Sequence, residues 1–238
     1  ARTRFGPITS GGAVTLAALL ARDLPLFRGL TVTDFAGIEL PFTEHRLRPW
    51  EILFHQKDQS RDVHFLLSGT LIALYWTADG REVIFTRFAL GDHFGELAAL
   101  DQGERSLAVV ARSEATVLTI PGAAFRLLFD QVPALRWRIA QGLVARIRTL
   151  TARNLELTTY SVEQRVASYL FGLAVDRDQL RAGGVIAEAP THAEIAATIG
   201  SNREMVSRVM SGLARRGAIR TARKRIELLD PKVLAAEF

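Results

Sequence analysis

The chain has 238 residues, 48% hydrophobic and 23% charged, with no cysteine and a formal net charge of +5. Its length exceeds an average domain and its composition is ordinary for a globular protein, so two cores are expected, while the missing thiols exclude disulfides, thiolate-bound zinc and cysteine-held iron–sulfur clusters. The basic excess points to an acidic partner.

Residues before about Val14 are polar and Gly-rich and are expected to fray. The longest apolar run, residues 13–21, is too short to span a bilayer, so no membrane partner is expected. It also lacks the basic flank and cleavage pattern of a signal peptide, which makes the cytoplasm the expected compartment. Val14, Leu16, Ala17, Leu20, Leu24 and Phe27 have helical spacing, with Pro25 closing or kinking that element.

From 44 to 120 the texture changes to short apolar strands. Val63, Phe65 and Leu67 alternate, Ser68-Gly69 turns, 71–76 runs as a buried strand, and Ala78-Asp79-Gly80 makes a hairpin turn into 82–88. Many short strands at even spacing indicate a jelly roll or barrel, with 109–120 supplying the closing strands and Pro121-Gly122 ending them.

Inside this region lies GDHFGELAALDQGERS, residues 91–106, which packs two glycines, a carboxylate and an arginine into a largely apolar segment. Gly91 and Gly95 can take positive φ and bring backbone N–H groups toward a ligand. Glu96 opens a short helical turn to Leu100 whose free N–H groups favour an anion. Arg105 offers a planar fork for phosphate, Ser106 a hydroxyl, and Glu96 an acceptor for a sugar hydroxyl. A structural ion pair and an ordinary Gly-Asp turn would use the same residues.

Pro133 suits a first helical turn, and from there to about Thr159 nothing breaks a helix except Gly142. Ala140, Leu143, Ile147, Leu150, Asn154 and Leu157 alternate spacings of three and four, the seam of a coiled coil, with Asn154 as a register-fixing residue. A helix lying on its own β domain needs a similar stripe. After a hinge near Tyr160-Ser161, residues 162–175 read as an amphipathic helix, and 176–190 as a loop.

Residues 191–216 carry two helix starts in tandem. Thr191 with Glu194, and Ser201 with Glu204, fit the capping box, and Gly200 makes a tight turn between them. Two short helices joined this way form a helix-turn-helix or an ordinary helical hairpin. Charge separates the two readings: between 203 and 225 eight basic residues face one acid, Glu204. Arg203 and Arg208 suit guanine edges and Glu204 a cytosine amino group, while Val206, Val209, Met210 and Leu213 form the buried face. Residues 218–221 and 225–229 then read as a hairpin wing with Arg223-Lys224 at its tip, on phosphates.

Gly-Glu-Leu at 95–97 and Glu-Arg-Ser at 104–106 match in identity, order and spacing the phosphate-binding cassette of cyclic-nucleotide-binding domains, and Asn202-Arg203-Glu204 with Arg208 matches a DNA-reading set. The chain thus resembles, from about Leu26 to Leu229, the bacterial catabolite activator (cyclic-AMP receptor) and fumarate-nitrate regulator family. That resemblance implies an α+β chain: an N-terminal β-roll of jelly-roll type over 1–131, a long dimerisation helix and hinge over 132–160, and a C-terminal winged helix-turn-helix over 161–238. It implies a homodimeric transcription regulator, not an enzyme, in which cAMP or cGMP in the roll controls binding to a palindromic DNA operator, with RNA polymerase as a further partner and no metal. It assigns Gly95, Glu96, Leu97, Arg105 and Ser106 to ribose and cyclic phosphate, and Thr86, Arg146 and Thr151 to the base, with Leu150 replacing a family threonine. It assigns Ser201, Asn202, Arg203, Glu204, Ser207, Arg208, Arg223 and Lys224 to DNA. Arg105→Leu is expected to abolish the ligand response with the fold intact.

Three other readings use the same sequence. His45, His55, His64 and His93 in a jelly roll suggest a cupin-like metal enzyme, although no His-x-His pair with a following Glu occurs. A histidine-ligated haem sensor is the second. A constitutive DNA binder whose roll has become structural is the third.

Overall fold

The computed structural model describes residues 16–22, 24–38, 40–80 and 82–236. Val14 and the segment before it lie outside these residues. Two units are distinguished, Ala1–Tyr75 with Ile84–Ala145, and Trp76–Val83 with Arg146–Phe238.

The first unit begins with α1 (Leu16–Leu20) and a 3-10 turn at Val32–Phe35. Its strands are β1 (Thr43–Leu47), β2 (Ile52–Phe54), β3 (Val63–Ser68), β4 (Leu71–Trp76), β5 (Glu82–Arg87), β6 (His93–Phe94), β7 (Ala108–Ala111) and β8 (Ala115–Ile120), with α2 (Glu96–Asp101) between β6 and β7. They form two four-stranded sheets, ordered β1-β8-β3-β6 and β2-β7-β4-β5, with antiparallel pairing such as His64 opposite Thr119. This is the roll that the alternation and turn signals predict.

Strand β3 departs from the alternation of Val63, Phe65 and Leu67. Val63 to Leu66 are all buried, because β3 is covered on both faces. Val63 and Phe65 join a core with Phe27, Phe35, Phe125 and Leu128, whereas Leu66 joins Phe54, Phe94 and Val117 between the sheets. Pro121-Gly122 does end the strands, but a helix missing from the sequence reading starts there, α3 (Gly122–Gln131), burying Ala124, Phe125 and Leu128. Next comes α4 (Pro133–Thr159), within one residue of the bounds read from Pro133 and the lack of breakers.

In the second unit α5 (Val162–Asp176) is capped by Ser161, which accepts from Gln164 N while the Gln164 side chain returns to the Ser161 amide. The expected loop over 176–190 contains a strand, β9 (Gly184–Ala187), followed by α6 (His192–Ile199), α7 (Arg203–Arg215), β10 (Ile219–Ala222), β11 (Arg225–Leu228) and α8 (Pro231–Ala235). The wing is therefore three-stranded, ordered β10-β11-β9, because Ile186 pairs opposite Ile226 and both are buried. A core of Val166, Leu170, Ile195, Ile199, Val206, Met210 and Leu213 holds α5, α6 and α7 together.

Candidate functional site

Gly95 precedes α2 with φ +87, and a Cβ there would lie 2.4 Å from Arg105 Nη1 and 2.8 Å from Asp62 O. Only glycine fits such a backbone pressed against a guanidinium. Glu96, the first residue of α2, is buried, whereas Leu97 and Ser106 are exposed. Gly91 has positive φ too, but its N–H donates to Leu66 O (2.8 Å), so it closes a turn instead of presenting an amide to a ligand.

Arg105 is only 3% exposed. Its Nε donates to Ser60 Oγ (3.1 Å), Nη1 to Gly95 O (2.9 Å) and Nη2 to Asp62 O (2.7 Å), which commits three of the five N–H groups of a guanidinium. Burial lowers its pKa from the usual arginine value and the charges of Asp62, Asp58 and Glu96 raise it again. An arginine stays protonated under that balance at neutral pH. The partners Ser60 and Asp62 lie more than forty positions away, without a local signal in the sequence.

Close by, His64 is buried and shares a hydrogen bond of 2.9 Å between its Nδ1 and Thr119 Oγ1. Burial first, then the charges of Arg105 and His45, holds its pKa well below the ordinary histidine value. The neutral ring therefore contributes stability in full above the unfolded value of about 6.5, and that contribution is lost as pH falls through the lowered folded value. Melting temperatures taken from about pH 7.5 down to about pH 5 are expected to drop more steeply in the wild type than in His64→Gln, which cannot titrate. Parallel slopes would remove His64 from the account.

The residues assigned to the base are divided between the two units. Thr86 on β5 is exposed and its hydroxyl makes a long bond to Arg87 O (3.5 Å). Arg146 and Thr151 belong to the second unit, both exposed on α4, and Thr151 Oγ1 donates to Ile147 O (2.9 Å).

The helix-turn-helix starts as read at Thr191, whose side chain accepts from Glu194 N while the Glu194 carboxylate returns to the Thr191 amide. At the turn, Gly200 has φ +66, and Ser201 N–H donates to Ala196 O (2.9 Å). Here the structure corrects the second capping box. The cap of α7 is Asn202, whose Oδ1 accepts from Met205 N (2.9 Å), so Ser201 lies one residue outside and Glu204 is not a capping partner. Asn202→Ala is expected to cost about 1 kcal/mol in chemical unfolding followed on the second unit, with Ser201→Ala near silent. Equal losses for the two would restore Ser201 as the cap.

Val206, Val209, Met210 and Leu213 form the buried face of α7, and Arg203, Glu204 and Arg208 are exposed on the opposite side. The Ser207 hydroxyl is engaged with His192 Nδ1 (2.8 Å), a tie between α6 and α7. Arg223-Lys224 forms the two-residue turn of the wing, with Lys224 at φ +52 and its ammonium 3.0 Å from Glu188. That pair is mostly exposed, so it holds Lys224 only weakly. Sequence reasoning missed two arginines that grip the carbonyl end of α6: Arg153 of α4 donates to Thr198 O, and Arg165 of α5 to Ile199 O (2.7 Å).

Comparison with known proteins matches both halves of this arrangement. The model of the cyclic nucleotide-binding domain covers residues 44–132, and that of the Crp-like helix-turn-helix domain covers 164–237. The cyclic AMP receptor protein of Thermus thermophilus is 30% identical over 214 residues, 88% of this chain and 94% of that protein. The chain belongs to the CRP/FNR family of transcription regulators. Another similar member of the CRP/FNR family is the cAMP-activated global transcriptional regulator Vfr of Pseudomonas aeruginosa, 30% identical over 70% of this chain and 80% of its own. Among solved structures, a CRP-family transcriptional regulator from Thermus thermophilus superposes with TM-score 0.64 at 27% identity, over 81% of this chain and 95% of that one. Members of the CRP/FNR family are regulators and not enzymes, which sets aside the cupin-like reading. His64, one of the four histidines of that reading, packs against both Phe54 and Phe94, which also touch each other. Among the described residues no three metal-ligating side chains are grouped, and no helix is long and apolar enough to cross a membrane.

Proposed function

We propose that this CRP/FNR regulator binds a cyclic nucleotide in its roll, cAMP ahead of cGMP, and that occupancy controls a homodimer's binding to a palindromic DNA operator. The observation that carries this reading is Arg105, a buried cation fixed by neutral oxygens against Gly95 and beside the buried carboxylate of Glu96. A positive charge kept from water and held by uncharged acceptors favours an anion such as a cyclic phosphate. Ser106 and the backbone at Gly95 to Leu97 complete that half of the ligand, and Glu96 accepts from a ribose hydroxyl. Thr86, Arg146 and Thr151 are assigned to the base on family resemblance alone, as are the bounds 1–131, 132–160 and 161–238 and the RNA polymerase contact, and the location is taken to be the cytoplasm.

For DNA, Arg203, Glu204 and Arg208 read base edges, Ser201, Asn202 and Ser207 flank them, and Arg223 and Lys224 meet phosphates. The apolar stripe of α4 supports pairing of two copies, since Ile147, Leu150 and Leu157 are 62%, 55% and 46% exposed. Isothermal titration of the full chain with cAMP and cGMP in parallel, followed by mobility shifts with and without the tighter ligand, tests the reading. Absence of heat with both nucleotides would end it. A second reading, constitutive DNA binding, is favoured by the three guanidinium bonds already made inside the protein, and it requires an unchanged shift without nucleotide.

A further inference from the structure

Arg105 borders a cluster of rings in which Phe54, His64 and Phe94 touch one another, Phe54 and Phe94 with centroids 6.3 Å apart and tilted. Phe88 and Phe94 are stacked with centroids 4.4 Å apart, Phe94 and His64 at 5.5 Å, and His64 and Phe54 at 5.5 Å. The guanidinium carbon of Arg105 then lies 4.1 Å from the Phe54 centroid. Phe54 comes from β2 in one sheet, His64 and Phe94 from β3 and β6 in the other, and all three are buried.

The ring cluster supplies what the hydrogen bonds do not. Bonds to Ser60, Gly95 and Asp62 lie in the plane of the fork and fix its rotation within that plane. A ring face set against the guanidinium carbon attracts the cation through the ring quadrupole, strongly so in a desolvated place. A carboxylate bridge would hold the arginine equally well, but it would neutralise the charge an anion must meet. An aromatic face stabilises the buried cation and leaves its net charge in place.

We infer that Phe54, backed by His64 and Phe94, is a positioning residue that holds the Arg105 guanidinium in place and charged for the anionic group of the ligand. This rests on the cyclic-nucleotide reading above. It also accounts for a long-range pairing, since Phe54 and Arg105 are brought together only by the closure of the roll.

The test compares the full-length wild type with Phe54→Leu, which keeps bulk without a ring face, and Phe54→Tyr, which keeps the face. cAMP affinity by isothermal titration is expected to fall about tenfold in the Leu variant and to stay within about twofold in the Tyr variant. Equal affinity in all three overturns the proposal. The Arg105 Nε–Hε resonance in 15N-labelled protein reads the same claim without ligand. It is expected to be upfield-shifted and slow to exchange in the wild type and the Tyr variant, and to lose both properties in the Leu variant. Should the wild type bind neither nucleotide, the ligand reading fails, and an Nε–Hε signal unmoved by Phe54→Leu would then overturn the positioning claim separately. Should the Leu variant not fold, a wild-type signal without upfield displacement overturns it.

Discussion

Arg105→Leu is expected to remove measurable cAMP binding, a loss of at least about 100-fold, as truncating one member of a buried, hydrogen-bonded charge pair does. It is also expected to lower the melting temperature, which the sequence reading did not anticipate. The substitution removes the partner of Gly95 O and Asp62 O, both half-buried, while the exposed Ser60 hydroxyl turns to water. Water reaches part of these sites, so the loss is the net worth of two half-buried bonds to a charged donor, about 1–3 kcal/mol together, a few degrees of Tm. The two effects are separable. Arg105→Lys keeps a cation but lacks the fork that reaches three acceptors, so part of the nucleotide affinity is expected to survive while the loss in Tm remains. Titration and thermal melts on the same preparations check both, and a folded Leu variant that still binds cAMP at near wild-type strength would remove Arg105 from the site.

The second large effect is expected from the double substitution Ile147→Asp with Leu150→Asp. Both side chains are more than half exposed on α4, in line with Leu143 and Leu157 at the three-and-four spacing of a helical seam. Burying an aliphatic side chain of this size stabilises by about 1.5–3 kcal/mol, so four of them across a symmetric pair represent about 6–12 kcal/mol. The double variant is expected to sediment as a monomer and the wild type as a dimer. Because a palindrome is read by two copies at once, its operator affinity should fall by two orders of magnitude or more, roughly the loss of one half-site. A variant that remains dimeric would move the interface off this stripe.

Several elements were legible because their signals are local. Pro133 and twenty-six following residues without a strong breaker define α4, and Thr191 with Glu194 three positions on marks the start of α6. The cassette was legible as a motif through Gly95, Glu96 and Arg105. What escaped depends on contacts distant along the chain. The pairing of Ile186 with Ile226 makes β9 out of a segment that reads as loop, and packing of Phe125 and Leu128 into the roll's core makes α3 out of a segment that begins with a strand terminator. The holders of Arg105, namely Ser60, Asp62 and Phe54, carry no motif and meet it only once the strands have paired. At α7 two adjacent residues, Ser201 and Asn202, are both good caps; the αL turn at Gly200 decides between them by sending the Ser201 amide back to Ala196.

That last choice has an outcome for how operator preference evolves or is engineered. With Asn202 holding the amide of Met205, Glu204 is not needed as a cap and serves α7 only as a first-turn carboxylate, and Arg203 and Arg208 share its solvent face. On the proposed reading, positions 203, 204 and 208 form a vocabulary that mutation rewrites without unwinding the helix that displays it, so a randomised library at these three sites is expected to yield soluble proteins with new operator alphabets.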